Sequence, residues 1–221
     1  MIPNATIERL CVIHNMLEQI MLDGDNGVCV SHISSNRIGE IIGVAPHTVR
    51  KDVNFLDGVI GQLGKGYSVK ELRLLIAQKL GLGKRKAAVI GLGKIGTAIM
   101  EYEKFLSAQI EIVAGFDSDI NRIDTIKSKI PLYPSREIGE IVRQKGIDIA
   151  FLASSSESAK VCFDRLEAGG VKAILNFTPT FLVSDKIHIR NMDLVLESTI
   201  LSAFTGLDDL KRGQFENGEK D

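Results

Sequence analysis

Three features of this 221-residue sequence predict an α/β chain in two parts. Apolar residues at helical spacing, broken by a glycine-rich stretch, run through residues 5–80. From Ala87 onward, apolar strand patterns alternate with helical ones, as a parallel sheet with helical crossovers requires. Where the first of those strands meets its helix, Gly91, Gly93 and Gly96 form a Gly-x-Gly-x-x-Gly turn.

The first part opens with Ile7, Leu10, Ile13, Leu17, Ile20 and Met21, which predict an amphipathic helix over 5–22 that ends in the turn cluster Asp23-Gly24-Asp25-Asn26-Gly27. Val28 to Val30 reads as a short β-branched strand. Ser34 or Ser35 then caps a brief helix through Ile38, Ile41 and Ile42 that stops at Gly43. Pro46 suits the first turn of a third helix, expected over 46–56, with Val49, Val53 and Leu56 on its buried side. Glycines at 58, 61, 64 and 66 exclude helix and predict a wing. Ser68-Val69-Lys70-Glu71 is a capping box that opens a helix through Leu72, Leu75, Ile76 and Leu80. Gly81 to Lys86 reads as a boundary.

In the second part the expected strands are Ala87 to Ile90, Ile110 to Phe116, Ile147 to Leu152 and Ala173 to Phe177, with helices from Lys94 and near 136–145 and 157–168. An apolar segment, 192–207, predicts a last helix, and 208–221 reads as a polar tail without order of its own. The expected division is therefore a winged helix-turn-helix domain over 1–84, a Rossmann parallel-sheet domain over 85–191, the helix 192–207 and the tail 208–221.

Composition bounds the function. No apolar run approaches the roughly 18 to 20 residues that span a bilayer, and the N-terminal residues lack a signal-peptide pattern, so a cytoplasmic protein without membrane partners is expected. Cys11, Cys29 and Cys162 are scattered and odd in number, which indicates neither a disulfide framework nor a metal site. The net charge of −1 hides an uneven distribution: residues 1–44 carry −3, residues 45–86 carry +6 and residues 87–221 carry −4. Basic charge is concentrated around the third helix and the wing, where His47, Thr48, Arg50, Lys51 and Asn54 lie away from the Val49/Val53/Leu56 stripe. A helix of about three turns bearing such groups fits the DNA major groove.

The glycine turn is specific because of its context. It follows a strand and opens a helix, and an acid, Asp117, stands at the end of the next strand. Gly91 permits the turn, Gly93 lets the backbone approach a pyrophosphate, and Gly96 lets the helix pack closely, so Gly91-Leu92-Gly93-Lys94-Ile95-Gly96 is the expected phosphate loop. Asp117 would accept from an adenosine ribose and repel a 2'-phosphate, which favours NAD(H) over NADP(H). Ligands bind beyond the carboxyl ends of such strands, which nominates Ala153-Ser154-Ser155 and Asn176-Phe177-Thr178-Pro179. A dehydrogenase needs a positioned proton-transfer group. The only His past residue 47 is His188, and no Tyr-x-x-x-Lys pair occurs. A sensor is the better expectation.

These residues reach a known family. Ile2-Pro3-x-Ala5-Thr6-x-x-Arg9-Leu10, Thr48-Val49-Arg50-Lys51-Asp52, Gly64-x-Gly66-Tyr67-x-Val69, the Gly91–Gly96 turn with Tyr102 after it, Phe116-Asp117-x-Asp119, and Gly170 to Phe177 with Pro179 occur in an order that resembles the Rex family of NAD(H)-responsive transcriptional repressors. The resemblance covers nearly the whole chain. It implies a homodimer with swapped C-terminal helices that binds operator DNA and is released when NADH rises relative to NAD+. It further implies DNA contacts from Ser35, His47, Thr48, Arg50, Lys51, Asn54, Lys65 and Tyr67, places Tyr102 near the nicotinamide, and sets Asp193 near the subunit interface. The chain departs from the family pattern at Gln62-Leu63, where wings carry a basic pair, at Ser154-Ser155, where Val-Pro is usual, and at Thr178, where alanine is usual. Two other readings of the crevice are a small NAD-dependent oxidoreductase and a sensor of another adenine nucleotide such as coenzyme A.

Overall fold

The computed structural model describes residues 2–24, 30–58, 61, 64–102, 105 and 109–218, with only the backbone at Gly24 and 208–218. It divides into two compact units, Met1–Gly83 and Lys84–Asp221.

The first unit is built from α1 (Asn4–Gly24), β1 (His32–Ile33), α2 (Ser35–Ile42), α3 (Pro46–Val53), β2 (Tyr67–Ser68) and α4 (Val69–Leu80). One apolar cluster holds it together, in which Leu10, Ile13 and Leu17 of α1 join Ile38, Val49, Val53, Leu72 and Ile76. Both serine caps form: the Ser34 hydroxyl accepts from the Arg37 N–H at 3.1 Å, and that of Ser68 accepts from the Glu71 N–H at 3.4 Å.

Two boundaries differ from the sequence reading. The strand lies at His32–Ile33, because its partner fixes it: β1 pairs antiparallel with β2, His32 opposite Ser68 and Ile33 opposite Tyr67. Val30 is outside it, and Val28 and the turn Asp25-Asn26-Gly27 lie outside the described residues. Helix α3 ends at Val53 rather than 56, because the chain tightens into three-residue turns, with the Phe55 N–H on the Asp52 carbonyl (3.1 Å) and the Leu56 N–H on that of Val53 (2.9 Å). Asn54 is thus the C-cap.

The second unit contains β3 (Arg85–Ile90), α5 (Lys94–Met100), β4 (Ile110–Asp117), α6 (Ile120–Thr125), β5 (Leu132–Pro134), α7 (Ile138–Lys145), β6 (Ile149–Leu152), α8 (Ser156–Gly169), β7 (Ala173–Asn176), β8 (His188–Asn191) and α9 (Leu194–Gly218). All six of its strands run parallel in the order β5-β4-β3-β6-β7-β8. That is the doubly wound order of a Rossmann sheet, whose direction of winding reverses between β3 and β6. Apolar clusters cover both faces, one with Ile90, Phe116, Leu152 and Leu166 and the other with Val89, Leu92 and Phe151.

Strands β5 and β8 and helix α6 were absent from the sequence reading. Helix α9 also continues past Leu207 to Gly218. A polar sequence does not end a helix whose hydrogen bonds are internal, and Leu210, Lys211, Arg212 and Gln214 are good helix formers.

Candidate functional site

The reversal point of the second unit is where the carboxyl ends of β3, β4 and β6 meet, and backbone hydrogen bonds lace them together. The Gly91 N–H donates to the Phe116 carbonyl and the Ala153 N–H to that of Ile90, both at 2.7 Å. Gly91 has φ +90°, and a Cβ on it would stand 2.6 Å from the Ala153 carbonyl oxygen. Gly96 sits so close beneath that a Cβ on it would overlap the Gly91 carbonyl oxygen. Around Gly93 a Cβ would meet nothing within 4 Å, so this backbone is open to a ligand. Each glycine therefore has the environment its place in the motif demands.

Asp117 closes the end of β4 and is 4% exposed. Its Oδ2 accepts from the Leu92 N–H (2.7 Å) and from Arg122 Nη1 (3.0 Å), and its Oδ1 accepts from the Asp119 N–H (2.8 Å). Burial pushes this carboxyl up, but the Asp119 and Leu92 N–H groups together with Arg122 outweigh it and hold the group below its ordinary value of 3.8. A depressed carboxyl contributes stability that is complete above that ordinary value and is lost as pH falls through the lower folded one. Asp117→Asn is expected to flatten the acid limb of a pH titration followed by circular dichroism below about pH 4. An unaltered acid limb would contradict this role.

A cavity of about 390 Å³ opens at this point, within the size range of small-molecule sites. Its wall includes Gly91, Gly93, Asp117, Ala153, Ser154 and Ser155 from the predicted set. The caps of three helices line it: Gly93 for α5, Asp119 for α6 and Ser155 for α8. Neither Gly93 nor Ser155 makes a side-chain cap bond, so their helices turn N–H groups without intrahelical partners toward the cavity, an arrangement suited to phosphate. The Ser155 and Ser158 hydroxyls are 3.4 Å apart on the same wall.

Other predicted residues are placed differently. Leu92 is buried, and its N–H is engaged by Asp117 rather than turned to a ligand. Lys94 and Ile95 are exposed on the first turn of α5. Asn176 is fully buried and does not line the cavity. Its Nδ2 donates to the Thr180 carbonyl (2.8 Å) and Asn191 Oδ1 (2.7 Å), and its Oδ1 accepts from the Thr178 N–H (3.0 Å) and hydroxyl (2.7 Å). Asn176 and Thr178 thus shape the turn after β7, which corrects the expectation of an amide aimed at a cofactor. Phe177 packs with Val89, Leu92 and Phe151, and Pro179 is exposed. Tyr102 stacks edge-on against Phe105 with centroids 5.3 Å apart and lines a separate cavity of about 480 Å³.

The sequence reading missed Ser118, Arg122, Ser135, Ser158 and Cys162, all of which line the crevice. The signal for Arg122 was present: Asp119 caps α6, which returns a residue one turn later onto the strand end. Cys162 is buried, and burial pushes its thiol up, which makes it unreactive at neutral pH.

In the first unit, α2 and α3 form a helix-turn-helix. His47, Arg50, Lys51 and Asn54 are exposed, Thr48 is half-buried, and Val49, Asp52 and Val53 face inward. Arg50 Nη1 donates to the Ser35 hydroxyl at 2.9 Å, which ties the start of α2 to the exposed side of α3. Lys65 is exposed beside the ribbon, and Tyr67 pairs with Ile33 within it. Gln62 and Leu63 lie outside the described residues. On the inner side, Asp52 accepts from Arg9 Nε (2.6 Å), Arg9 Nη2 (2.8 Å) and the Thr6 hydroxyl (2.9 Å), which anchors α3 to α1.

A helix-turn-helix with a β-ribbon and a basic helix, in one chain with a phosphate-loop crevice on a doubly wound sheet, defines a nucleotide-sensing DNA-binding protein. Residues 1–54 match the family model described as "Putative DNA-binding protein N-terminus", and residues 83–180 match the one described as "CoA binding domain". The redox-sensing transcriptional repressor Rex of Listeria welshimeri is 33% identical over 205 residues, 92% of this chain and 93% of that protein. That of Carboxydothermus hydrogenoformans is 35% identical over 203 residues, 91% of this chain and 95% of that protein. Among solved structures, the Rex-family repressor RSP superposes with a TM-score of 0.81 at 29% identity, over 96% of this chain and 99% of that one. RSP with NAD+ and operator DNA gives 0.80 at 29% identity, over 100% of this chain and 99% of that one. The chain belongs to the Rex family of redox-sensing transcriptional repressors.

Proposed function

We propose that this chain is a transcriptional repressor whose hold on operator DNA is released by NADH. The observation that carries the reading is the union, in one chain, of the Gly91/Gly93/Asp117 crevice with the exposed basic side of α3. Its relative RSP has been solved with NADH and with NAD+ and operator DNA, which supports the same ligands here. Gly91, Gly93, Ser154 and Ser155 would hold the pyrophosphate and Asp117 the adenosine ribose. His47, Thr48, Arg50, Lys51 and Asn54 would enter the major groove, where they reach base edges and the flanking phosphates, with Ser35 and Lys65 also on the phosphates. Among the described residues that line the crevice there is no His, Lys or Tyr, which favours a sensor over a hydride-transfer enzyme.

If Arg50 and Lys51 both contact phosphates, replacing them with Ala removes about two ionic contacts. The slope of log affinity against log salt should then fall by about 1.8. Fluorescence anisotropy with the DNA upstream of its own gene measures this, and an unchanged slope would refute the contacts.

A homodimer is proposed from α9. Val195, Leu201 and Phe204 are 75%, 66% and 61% exposed in the single chain, with Leu194, Leu196 and Leu207 exposed beside them. So much apolar surface on one helix calls for a partner, and a second copy offers the same surface. Sedimentation velocity should show a dimer, and a monomer at micromolar concentration would contradict it. No helix among the described residues is long and apolar enough to cross a membrane. A cytoplasmic location is part of the proposal.

A further inference from the structure

We infer that Asn191 is a positioning residue for the switch: its bonds to Asn176 and Leu182 tie the start of α9 to the crevice and carry the effect of NADH on DNA binding. The inference rests on the repressor and homodimer readings above. A bound ligand acts at a distance only by its differential affinity for two states, and hydrogen-bond networks joined to rigid elements transmit such a difference. The second unit contains a network of this kind.

It begins at the cavity. Ala153 is part of the wall, and Leu92 lies inside the glycine turn. Phe177 meets both places, since its N–H donates to the carbonyl of Leu152, next to Ala153, at 2.8 Å and its side chain packs with Leu92. One residue earlier, the Asn176 carbonyl accepts from the Met192 N–H (2.8 Å) and Asn176 Nδ2 donates to Asn191 Oδ1 (2.7 Å). Asn191 Oδ1 also accepts from the Leu182 N–H (3.1 Å), and Asn191 Nδ2 donates to the Leu182 carbonyl (3.0 Å). Two residues on, Asp193 opens α9, its Oδ1 accepting from the N–H groups of Val195 (2.8 Å) and Leu196 (3.2 Å).

The loop joining β7 to β8 is a poor conductor of movement by comparison, because Phe181 and Val183 within it are each 75% exposed. Its buried residue, Leu182, is itself held by Asn191. Both polar side-chain atoms of Asn176 and of Asn191 are engaged, and a fully satisfied buried network is rigid. A shift at the end of β7 is therefore passed to Asp193 rather than absorbed. Helix α9 has 25 residues and so extends about 37 Å, which turns a small tilt at its start into a displacement at its far end. This is the helix whose exposed apolar side was assigned above to the second copy, and dimer symmetry sets the spacing of two operator half-sites.

The test measures coupling, the ratio of DNA affinities without and with saturating NADH, by fluorescence anisotropy, and NADH affinity by calorimetry, in the full chain. Asn191→Ala, which removes all three bonds, should bind NADH and bind DNA without NADH within about threefold of the parent, while the coupling falls from at least tenfold to about twofold. Asn191→Asp loses only the bond to the Leu182 carbonyl and should give an intermediate ratio. Val171→Ala trims the buried side chain just before β7 without touching the network; its urea midpoint should fall but its coupling should stay. Parental coupling in Asn191→Ala would overturn the inference, as would an equal loss of coupling in Val171→Ala or the loss of either binding altogether in Asn191→Ala. If Asn191→Ala does not fold, Asn191→Asp decides, and parental coupling there overturns the inference. These outcomes leave the repressor reading standing. A parent that binds both NADH and DNA with a ratio near one would overturn both.

Discussion

Replacing Gly96 with Ala is expected to destabilise the Lys84–Asp221 unit by at least about 3 kcal/mol and to abolish nucleotide binding. Two effects oppose each other at this position. Alanine is the better helix former, by about 1 kcal/mol. Its Cβ, however, would overlap the Gly91 carbonyl oxygen, which belongs to backbone held at the meeting of three strands and cannot yield as a flexible side chain would. The clash wins because relief requires α5 to lift from the turn. Gly93→Ala separates structure from function. Gly93 has φ −73°, which alanine adopts readily, and its Cβ would meet no atom within 4 Å. Stability should therefore change by less than about 0.5 kcal/mol, while a methyl group in the path of the pyrophosphate should weaken NADH by tenfold or more. Urea unfolding followed by circular dichroism, with NADH titrations on the same samples, checks both. A Gly96→Ala variant as stable as the parent would show that the turn is not packed as described.

The second large effect is expected at Asp52. Asp52 is 1% exposed, and its carboxylate receives two hydrogen bonds from Arg9 and one from Thr6. Removing one partner of a buried pair costs about 3 to 5 kcal/mol, because the other is left uncompensated. The Arg9 side chain is 30% exposed and can regain part of its hydration, so Asp52→Ala should cost the Met1–Gly83 unit about 2 to 4 kcal/mol. The same substitution releases α3 from α1, so DNA binding should weaken along with stability. Asp57→Ala is the control. Asp57 also pairs with a cation, Lys79 at 2.6 Å, but its side chain is 94% exposed, and no measurable loss is expected. Equal urea midpoints for Asp52→Ala and Asp57→Ala would show that burial does not decide the worth of these pairs.

Where the sequence could be read and where it could not follows from burial. Strands β3, β4, β6 and β7 are interior to the sheet, so they are written in Val, Ile, Leu, Phe and Ala and stand out from their flanks. The edge strands lack that signature. β5 is only Leu132-Tyr133-Pro134, with a proline that an interior strand would not tolerate, and β8 reads His188-Ile189-Arg190-Asn191 with alternating exposure. Missing β8 had a consequence at the site. Asn176 stands opposite Asn191 in the β7–β8 register, and a reading without that strand leaves its amide free for a ligand. The unread helix α6 likewise concealed Arg122. The glycine turn and Asp117 were legible because their spacing is fixed by the strand–turn–helix geometry itself.

The most direct test of the account is a titration of NADH into the complex between the full-length protein and the promoter DNA upstream of its own gene, at fixed salt, followed by fluorescence anisotropy with NAD+ as the parallel arm. A ligand shifts such an equilibrium only by its differential affinity for the free and DNA-bound states. The account predicts that saturating NADH weakens DNA binding by at least tenfold, which corresponds to about 1.4 kcal/mol of coupling, while NAD+ leaves it in place. Tight DNA binding that is the same with NADH, with NAD+ and with neither would contradict it.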